Sequence, residues 1–235
     1  MGHITDNIYQ VHQELASLIN QAGRTKESVK LLCVSKTKPQ EAIIEAYNCG
    51  ERLFGESYVN EAVTKIQALK ALGYTDLKWH FIGPLQSNKT KAVAENFDMV
   101  ESVDRIKVMQ RLNLQRPASL GPLEILIEVN ISHEAQKSGC ALEELESLID
   151  YCKQCPNLRL RGLMGIATDT QDKALIKEEF STLATLFAKY AQEFEHFDIL
   201  SMGMTHDMAE AILLGSTEVR IGTAIFGPRE YKNKE

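Results

Sequence analysis

The chain has 235 residues, of which 44% are hydrophobic and 25% charged, with a formal net charge of −6. These proportions are typical of a globular protein with a sizeable core and exclude disordered and collagen-like chains. The acidic balance, without a dense basic cluster, argues against a nucleic-acid partner, and no apolar run is long enough to span a membrane.

The predicted elements begin with an amphipathic helix over residues 5–22, in which apolar residues recur at helical spacing before Gly23. After it, short apolar runs alternate with longer helical stretches. The predicted strands are residues 31–36, 52–57, 78–83, 99–104, 123–130, 158–166, 199–204 and 219–226. The helical stretches between them include residues 39–48, 58–69, 141–152, 174–194 and 208–214.

This alternation predicts a parallel sheet, and eight strand–helix units in a chain of this length favour closure into a barrel. We therefore expect an α/β fold: a single (β/α)8 TIM barrel with an extra N-terminal helix, forming one domain over residues 1–235. Residues 1–20 contain no signal-peptide core, so a cytoplasmic location is expected. No strong exposed apolar stripe is evident, and a monomer is expected.

The cysteines and histidines predict neither disulfides nor a metal site. Five cysteines are an odd number scattered through the chain, which suits a reducing compartment. Cys152 and Cys155 have the spacing of a redox motif, but they fall at the end of a helical pattern, and chance placement is favoured. The six histidines are isolated from one another.

In a (β/α)8 barrel the active site lies at the C-terminal ends of the strands, often with a phosphate site after strands seven and eight. Both of these strand ends carry glycine beside small hydroxyl residues. Glycine allows close backbone approach to an anion, hydroxyls can donate hydrogen bonds, and a following helix adds N–H groups. The alternative is that the small residues only permit strand-to-helix packing. The candidate phosphate residues are Ser201, Gly203, Thr205, Gly222 and Thr223.

Lys36 follows an apolar run, at the predicted end of the first strand. A lysine in a partly desolvated site more readily becomes the neutral amine that attacks an aldehyde, so Schiff-base chemistry is a candidate. The alternative is a lysine that reaches past the strand end into water. Arg220 lies within apolar strand eight, and a buried arginine requires a partner. Barrel closure would bring both residues to one mouth.

Six segments resemble the pyridoxal phosphate homeostasis protein family, the YggS-like or PROSC-like proteins. They are VSKTKP at 34–39, FGESYV at 54–59, WHFIGPLQSNK at 79–89, RGLM at 161–164, LSMGM at 200–204 and VRIGTAIFG at 219–227. The resemblance runs from about residue 28 to residue 231. The chain departs from the usual pattern at Ser57, where Asn is more common, and at Thr205, where Ser is frequent.

The resemblance implies a barrel like the N-terminal domain of bacterial alanine racemase that binds pyridoxal 5′-phosphate (PLP). Lys36 would form the Schiff base and Arg220 would face the pyridine nitrogen. Ser201, Gly203, Thr205, Gly222 and Thr223 would surround the phosphate. Members of the family bind and buffer the cofactor without established turnover, and PLP-dependent apo-enzymes are possible recipients.

Two enzymatic alternatives remain open from the sequence. One is a PLP-dependent amino-acid racemase, although racemases of this fold take their second base from a C-terminal β domain, for which the residues after strand eight leave little room. The other is a Schiff-base aldolase acting on a phosphorylated sugar. Such enzymes tend to carry the lysine on a later strand, and no carboxylate pair is evident beside Lys36. His80 is interpreted as a packed or loop-orienting histidine rather than a proton shuttle.

Overall fold

In the computed structural model of the chain, which describes residues 4–132, 134 and 136–228, eight parallel strands close into a barrel. The strands follow one another in chain order around the barrel, and the last pairs with the first. This confirms the predicted (β/α)8 architecture. The strands are β1 Lys30–Val34, β2 Leu53–Glu56, β3 Lys78–Phe81, β4 Met99–Val103, β5 Leu123–Val129, β6 Leu158–Gly165, β7 Ile199–Ser201 and β8 Glu218–Ile221.

Helices surround the barrel, and the main hydrophobic core lies between them and the outer face of the sheet. The predicted N-terminal helix is present. It buries Ile8, Val11, Leu15 and Ile19, whose spacing places them on one helix face. The helices are α1 Ile4–Gln21, α2 Gln40–Asn48, α3 Val59–Ala71, α4 Thr90–Asn96, α5 Ile106–Gln115, α6 Leu145–Cys152, α7 Lys173–Tyr190, α8 Met208–Leu213 and α9 Thr223–Phe226. Among the helices described, none is both long and apolar enough to cross a bilayer.

The register of the barrel closure brings the two ends of the chain together. Leu32 of β1 pairs with Arg220 of β8, and Cys33 pairs with Ile221. Because β1 and β8 are parallel, their C-terminal ends open at the same mouth. The turn after β1 and the segment after β8 are therefore neighbours, as the sequence predicts.

The predicted strands start close to the observed ones but overrun their ends. The first seven extend one to three residues too far, because the chain turns away from the barrel once its ladder hydrogen bonds stop. The prediction that strand eight reaches residue 226 is wrong. The backbone leaves the extended region at Gly222 (φ −117°, ψ −71°), and Thr223–Phe226 forms α9, which buries Ile225 and Phe226. The helix predicted over 174–194 already ends at Tyr190.

The inner face of the barrel changes from apolar to polar along the strands. Met99, Leu126, Met164 and Ile199 form a buried apolar cluster separate from the main core. Side chains two positions apart on a strand share a face, so the residues two positions after Met99, Leu126 and Ile199 also point into the barrel. All three of these following residues are polar. These residues are Glu101, Glu128 and Ser201, all of them buried. The barrel interior thus carries a polar layer toward its C-terminal mouth.

Candidate functional site

Lys36 lies in the turn after β1, two residues beyond Val34, and is half-buried. The sequence placed it on the strand itself, and this detail is wrong. The next residue, Thr37, has φ +66° and is the one non-glycine residue with positive φ among those described. A β-branched residue adopts this conformation only where its surroundings enforce it. The contacts around the turn explain how.

A single buried ammonium holds both sides of the Lys36 turn. Lys65 Nζ on α3 donates to the carbonyl oxygens of Ser35 and Lys38, at 3.0 and 3.1 Å. The same ammonium contacts the carboxylates of Glu56 at 2.6 Å and Glu61 at 2.7 Å. We call these four interactions the Lys65 clamp. The clamp ties the backbone on either side of Lys36 to α3 and β2.

Both carboxylates of the clamp also bind the turn directly. The Thr37 N–H donates to Glu61 at 2.7 Å, and the Ser35 hydroxyl donates to Glu56 at 2.7 Å. Burial raises the pKa of Glu56 despite the opposing effect of Lys65. The conformation that carries Lys36 is therefore specified by side chains from two neighbouring elements.

Arg220 is buried in the barrel interior, 4% exposed, with its guanidinium held at two points. Nη2 donates to the carbonyl oxygen of Gly165 at 3.0 Å, and Nη1 donates to the Ser201 hydroxyl at 2.7 Å. The Ser201 hydroxyl donates in turn to Glu101 at 2.6 Å. The partner that a buried arginine requires is thus supplied by β6, β7 and β4.

The chain of contacts continues to a histidine between two carboxylates. His80 Nδ1 lies 2.8 Å from Glu101 Oε1 and 3.7 Å from Glu218 Oε1. Burial opposes a charge on His80, yet the two carboxylates outweigh it and raise its pKa to about 10. Burial likewise opposes ionisation of Glu101, but His80 and Arg220 lower its pKa. His80 is therefore a packed, hydrogen-bonded histidine, as the sequence indicated.

Glu128 adds a further titratable group to the polar layer. Its pKa is raised to about 7, mainly by burial and then by the charge of Asp104, while Arg220 acts in the opposite direction. Glu101, Glu128 and Glu218 were not among the site residues expected from the sequence. The available signal was a carboxylate within an otherwise apolar barrel strand, because a charged residue is rarely buried without a partner.

The hydroxyl residues proposed for the phosphate lie in two different environments. Thr205 precedes α8 and Thr223 begins α9, and both are exposed at the C-terminal mouth, where they can meet a ligand. Ser201 is fully buried, and its hydroxyl is engaged with Arg220 and Glu101. The structure therefore brings Ser201 to Arg220, and leaves the two threonines as the accessible hydroxyls.

The two glycines have packing roles. A Cβ on Gly203, where φ is +98°, would lie 2.5 Å from the Ala211 Cβ of α8. A Cβ on Gly222 would lie 3.2 Å from the Val34 carbonyl oxygen. The missing side chains thus leave room for α8 and for the end of β1. For Gly203 this is the strand-to-helix packing that was expected as the alternative to a phosphate role, whereas Gly222 makes room for a neighbouring strand. A backbone contact of either glycine to an anion stays a prediction.

All five cysteines are free. Burial raises the pKa of Cys152 to about 12, with a smaller effect of Cys155, and burial also raises the pKa of Cys155. Because the thiolate is the reactive form, this pair is poorly suited to redox chemistry.

Known proteins resemble this chain over nearly its whole length. The family model described as alanine racemase, N-terminal domain, matches residues 11–230. The pyridoxal phosphate homeostasis protein of Escherichia coli (strain K12) is 49% identical over 234 residues, which cover all of both chains.

Solved structures agree in fold. PipY of Synechococcus elongatus with PLP bound is 33% identical with a TM-score of 0.78, covering 91% of this chain and 100% of that chain. The alanine racemase of Corynebacterium glutamicum is 16% identical with a TM-score of 0.67, covering 96% of this chain and 62% of that chain, and shows the fold alone. The present chain belongs to the pyridoxal phosphate homeostasis protein family, within the wider family of the alanine racemase N-terminal domain.

Proposed function

We propose that this chain binds PLP as a Schiff base on Lys36 and serves in vitamin B6 homeostasis, holding the cofactor without turning over a substrate. The observation that carries the proposal is the barrel closure, which places the Lys36 turn beside the strand of buried Arg220. The PLP bound to PipY, a relative that matches nearly the whole chain, supports the same ligand class.

The residues at the mouth suit the parts of this cofactor. An amine in a fixed, half-buried turn can condense with an aldehyde. A guanidinium stays protonated, so Arg220 can donate a hydrogen bond to a pyridine nitrogen but cannot stabilise a pyridinium as a carboxylate would. The bound cofactor would then be a weak electron sink. That property fits storage better than catalysis.

For the phosphate we propose a site built from the segments after β7 and β8. Thr205 and Thr223 offer exposed hydroxyl donors there, and Gly203 and Gly222 supply backbone near them. Ser201 would act mainly through Arg220, because its hydroxyl already bonds to that guanidinium.

The experiment that tests attachment is reduction with borohydride followed by peptide mapping. Purified protein with added PLP should show an absorption band that borohydride removes, and the reduced adduct should map to Lys36. The Lys36→Ala variant should lack both. Lys38→Ala is the matched control, because its ammonium sits two residues away on the same turn. An adduct that survives in Lys36→Ala and disappears in Lys38→Ala would refute the assignment.

A role without turnover is supported by the homeostasis name of the E. coli relative, whereas the alanine racemase shares only the fold. A chiral assay separates the two. PLP-loaded protein should leave L-alanine and L-serine unchanged over many molar equivalents. Sustained conversion that is lost in Lys36→Ala would establish a racemase instead.

We further propose that the protein acts as a cytoplasmic monomer and can pass PLP to apo-enzymes. The free cysteines and the net negative charge of the sequence are compatible with that setting. Light scattering of the purified protein gives its molar mass and so tests whether it is a monomer. Activation of a PLP-dependent apo-enzyme, faster with loaded protein than with an equal amount of free PLP, checks direct transfer.

A further inference from the structure

Three buried side chains form a cluster of possible metal ligands inside the barrel. His80 of β3, Glu101 of β4 and Glu218 of β8 each place one ligand atom within 4.8 Å of the other two. The three residues are 5%, 0% and 1% exposed. His80 contacts Glu101 Oε1, whereas the Ser201 hydroxyl donates to Glu101 Oε2. The cluster therefore lies on the side of the Glu101 carboxylate that faces away from Ser201.

One oxygen in this cluster is left without a hydrogen bond. Glu218 Oε1 is buried, and no hydrogen-bond partner reaches it among the described residues. Its near neighbour, His80 Nδ1, is 3.7 Å away, beyond hydrogen-bond range. A buried carboxylate oxygen without a donor is unfavourable, and such atoms are rare in native proteins. A bound cation would satisfy it.

A route to the cluster exists from the N-terminal end of the barrel. A cavity of about 380 Å³ opens there, and His80 and Glu218 both contribute to its wall. Lys30, Lys78 and Met99, the first residues of β1, β3 and β4, line the same cavity, so it lies opposite the Lys36 mouth. An ion could therefore enter without passing the proposed cofactor site.

The geometry suits a first-row divalent cation. Bonds of about 2.0–2.2 Å to nitrogen and carboxylate oxygen place neighbouring ligand atoms roughly 3–3.6 Å apart. The distances of 2.8 and 3.7 Å from His80 Nδ1 to the two carboxylates bracket that range. One imidazole nitrogen with two carboxylate oxygens is a donor set for Zn²⁺ or Mn²⁺, and the ion would take the place of the Nδ1 proton of His80, which is released to solvent. Coordination positions toward the cavity would be left to water.

The charges around the cluster are mixed, because Lys30, Lys78, Arg116 and Arg161 also line the cavity that leads to the two carboxylates. Within the barrel, the Ser201 hydroxyl stands between the Arg220 guanidinium and Glu101. The hydroxyl also donates to the second oxygen of Glu101, which is how outer groups orient a ligating carboxylate. We propose that His80, Glu101 and Glu218 form a divalent cation site of the zinc or manganese class in the barrel interior.

The test is titration of the full-length, chelator-treated protein with Zn²⁺ by calorimetry, and with Co²⁺ by its visible absorption. We expect one ion per chain and a Co²⁺ spectrum that Zn²⁺ abolishes. Glu218→Gln, which keeps the side-chain volume, should weaken binding by at least about tenfold. Glu124→Gln is the matched control, because Glu124 lines the same cavity but lies outside the cluster.

Circular dichroism and a thermal melt of both variants establish that each is folded before titration. Stoichiometric binding that is weakened in Glu218→Gln and retained in Glu124→Gln supports the site. Absence of stoichiometric binding to the folded wild-type protein, or equal affinity of the wild type and Glu218→Gln, would overturn it.

Discussion

The guanidinium of Arg220 donates a 2.7 Å hydrogen bond to the hydroxyl of Ser201, and this hydroxyl in turn donates a 2.6 Å hydrogen bond to Glu101. Ser201 thereby connects the arginine of strand eight to Glu101, which precedes the serine by one hundred residues. A residue that the sequence suggested for a phosphate thus has a structural task of its own: it fixes the direction of the guanidinium.

The first prediction concerns this hydroxyl. Ser201→Ala should lower the free energy of unfolding by about 2 kcal/mol, because it leaves a buried guanidinium N–H and a buried carboxylate oxygen without their partner. Urea unfolding measures the loss. Thr205→Ala, an exposed hydroxyl on the same segment, is the control and should change stability by less than about 0.5 kcal/mol. Equal effects of the two substitutions would contradict the assigned role.

The second prediction concerns the Lys65 clamp. Lys65→Met should lower the free energy of unfolding by about 3 kcal/mol, because Glu56 is then buried without its cation. Adding Glu56→Gln should restore part of the loss, since it removes the uncompensated charge. Lys70→Met, an exposed position in the last turn of the same helix, serves as the control.

The clamp also has a consequence for Lys36. In folded Lys65→Met protein, PLP should bind more weakly although Lys36 is intact, because the turn is no longer held on both sides. Equilibrium titration followed by absorbance measures the affinity. Unchanged affinity in the folded variant would restrict the clamp to a role in stability.

The third prediction follows from Glu128. Its pKa is about 7 in the folded protein against 4.5 ordinarily, so the folded state favours the protonated form. The resulting contribution to stability is fully present below pH 4.5 and is lost as the pH rises through about 7. Glu128→Gln keeps the neutral form and should gain stability relative to the wild type between pH 5 and pH 8, by at most about 3 kcal/mol.

Urea unfolding of both proteins across that pH interval provides the measurement. Glu178 is an exposed glutamate in α7, and Glu178→Gln is the control. The difference in unfolding free energy between this variant and the wild type should stay constant across the same pH interval. If the difference in unfolding free energy between Glu128→Gln and the wild type did not grow with pH, the pKa of Glu128 would not be raised in the folded protein.

The fourth prediction concerns close packing between β6 and β7. Gly162 has φ +151°, and a Cβ there would lie 1.8 Å from the Ile199 carbonyl oxygen. Gly162→Ala should therefore unfold the barrel or destabilise it severely, because the obstacle is backbone. Gly215→Ala has a comparable positive φ of +98° but open space around the Cβ. It should cost only about 1 kcal/mol, and thermal unfolding separates the two cases.

The sequence alone determined the order of strands and helices, because the periods of 2 and 3.6 residues are local properties of the chain. It also predicted that the segments after the first and the last strand are neighbours, since closure of a parallel barrel joins the first strand to the last. It failed at the end of strand eight, where an apolar Ile225–Phe226 pair suits a strand or a short helix equally. Packing of α9 decided the outcome there.

Only the tertiary structure decided which polar residues share the interior. Both faces of a barrel strand are buried, so alternation along β4 could not tell whether Glu101 points inward or toward a helix. His80, Glu101 and Glu218 are distant in sequence and meet only through the register of three strands around a closed barrel. The same holds for the Lys65 clamp, whose ammonium reaches the Lys36 turn from α3. Contacts across a closed barrel depend on its register, and no local pattern in the chain encodes that register by itself.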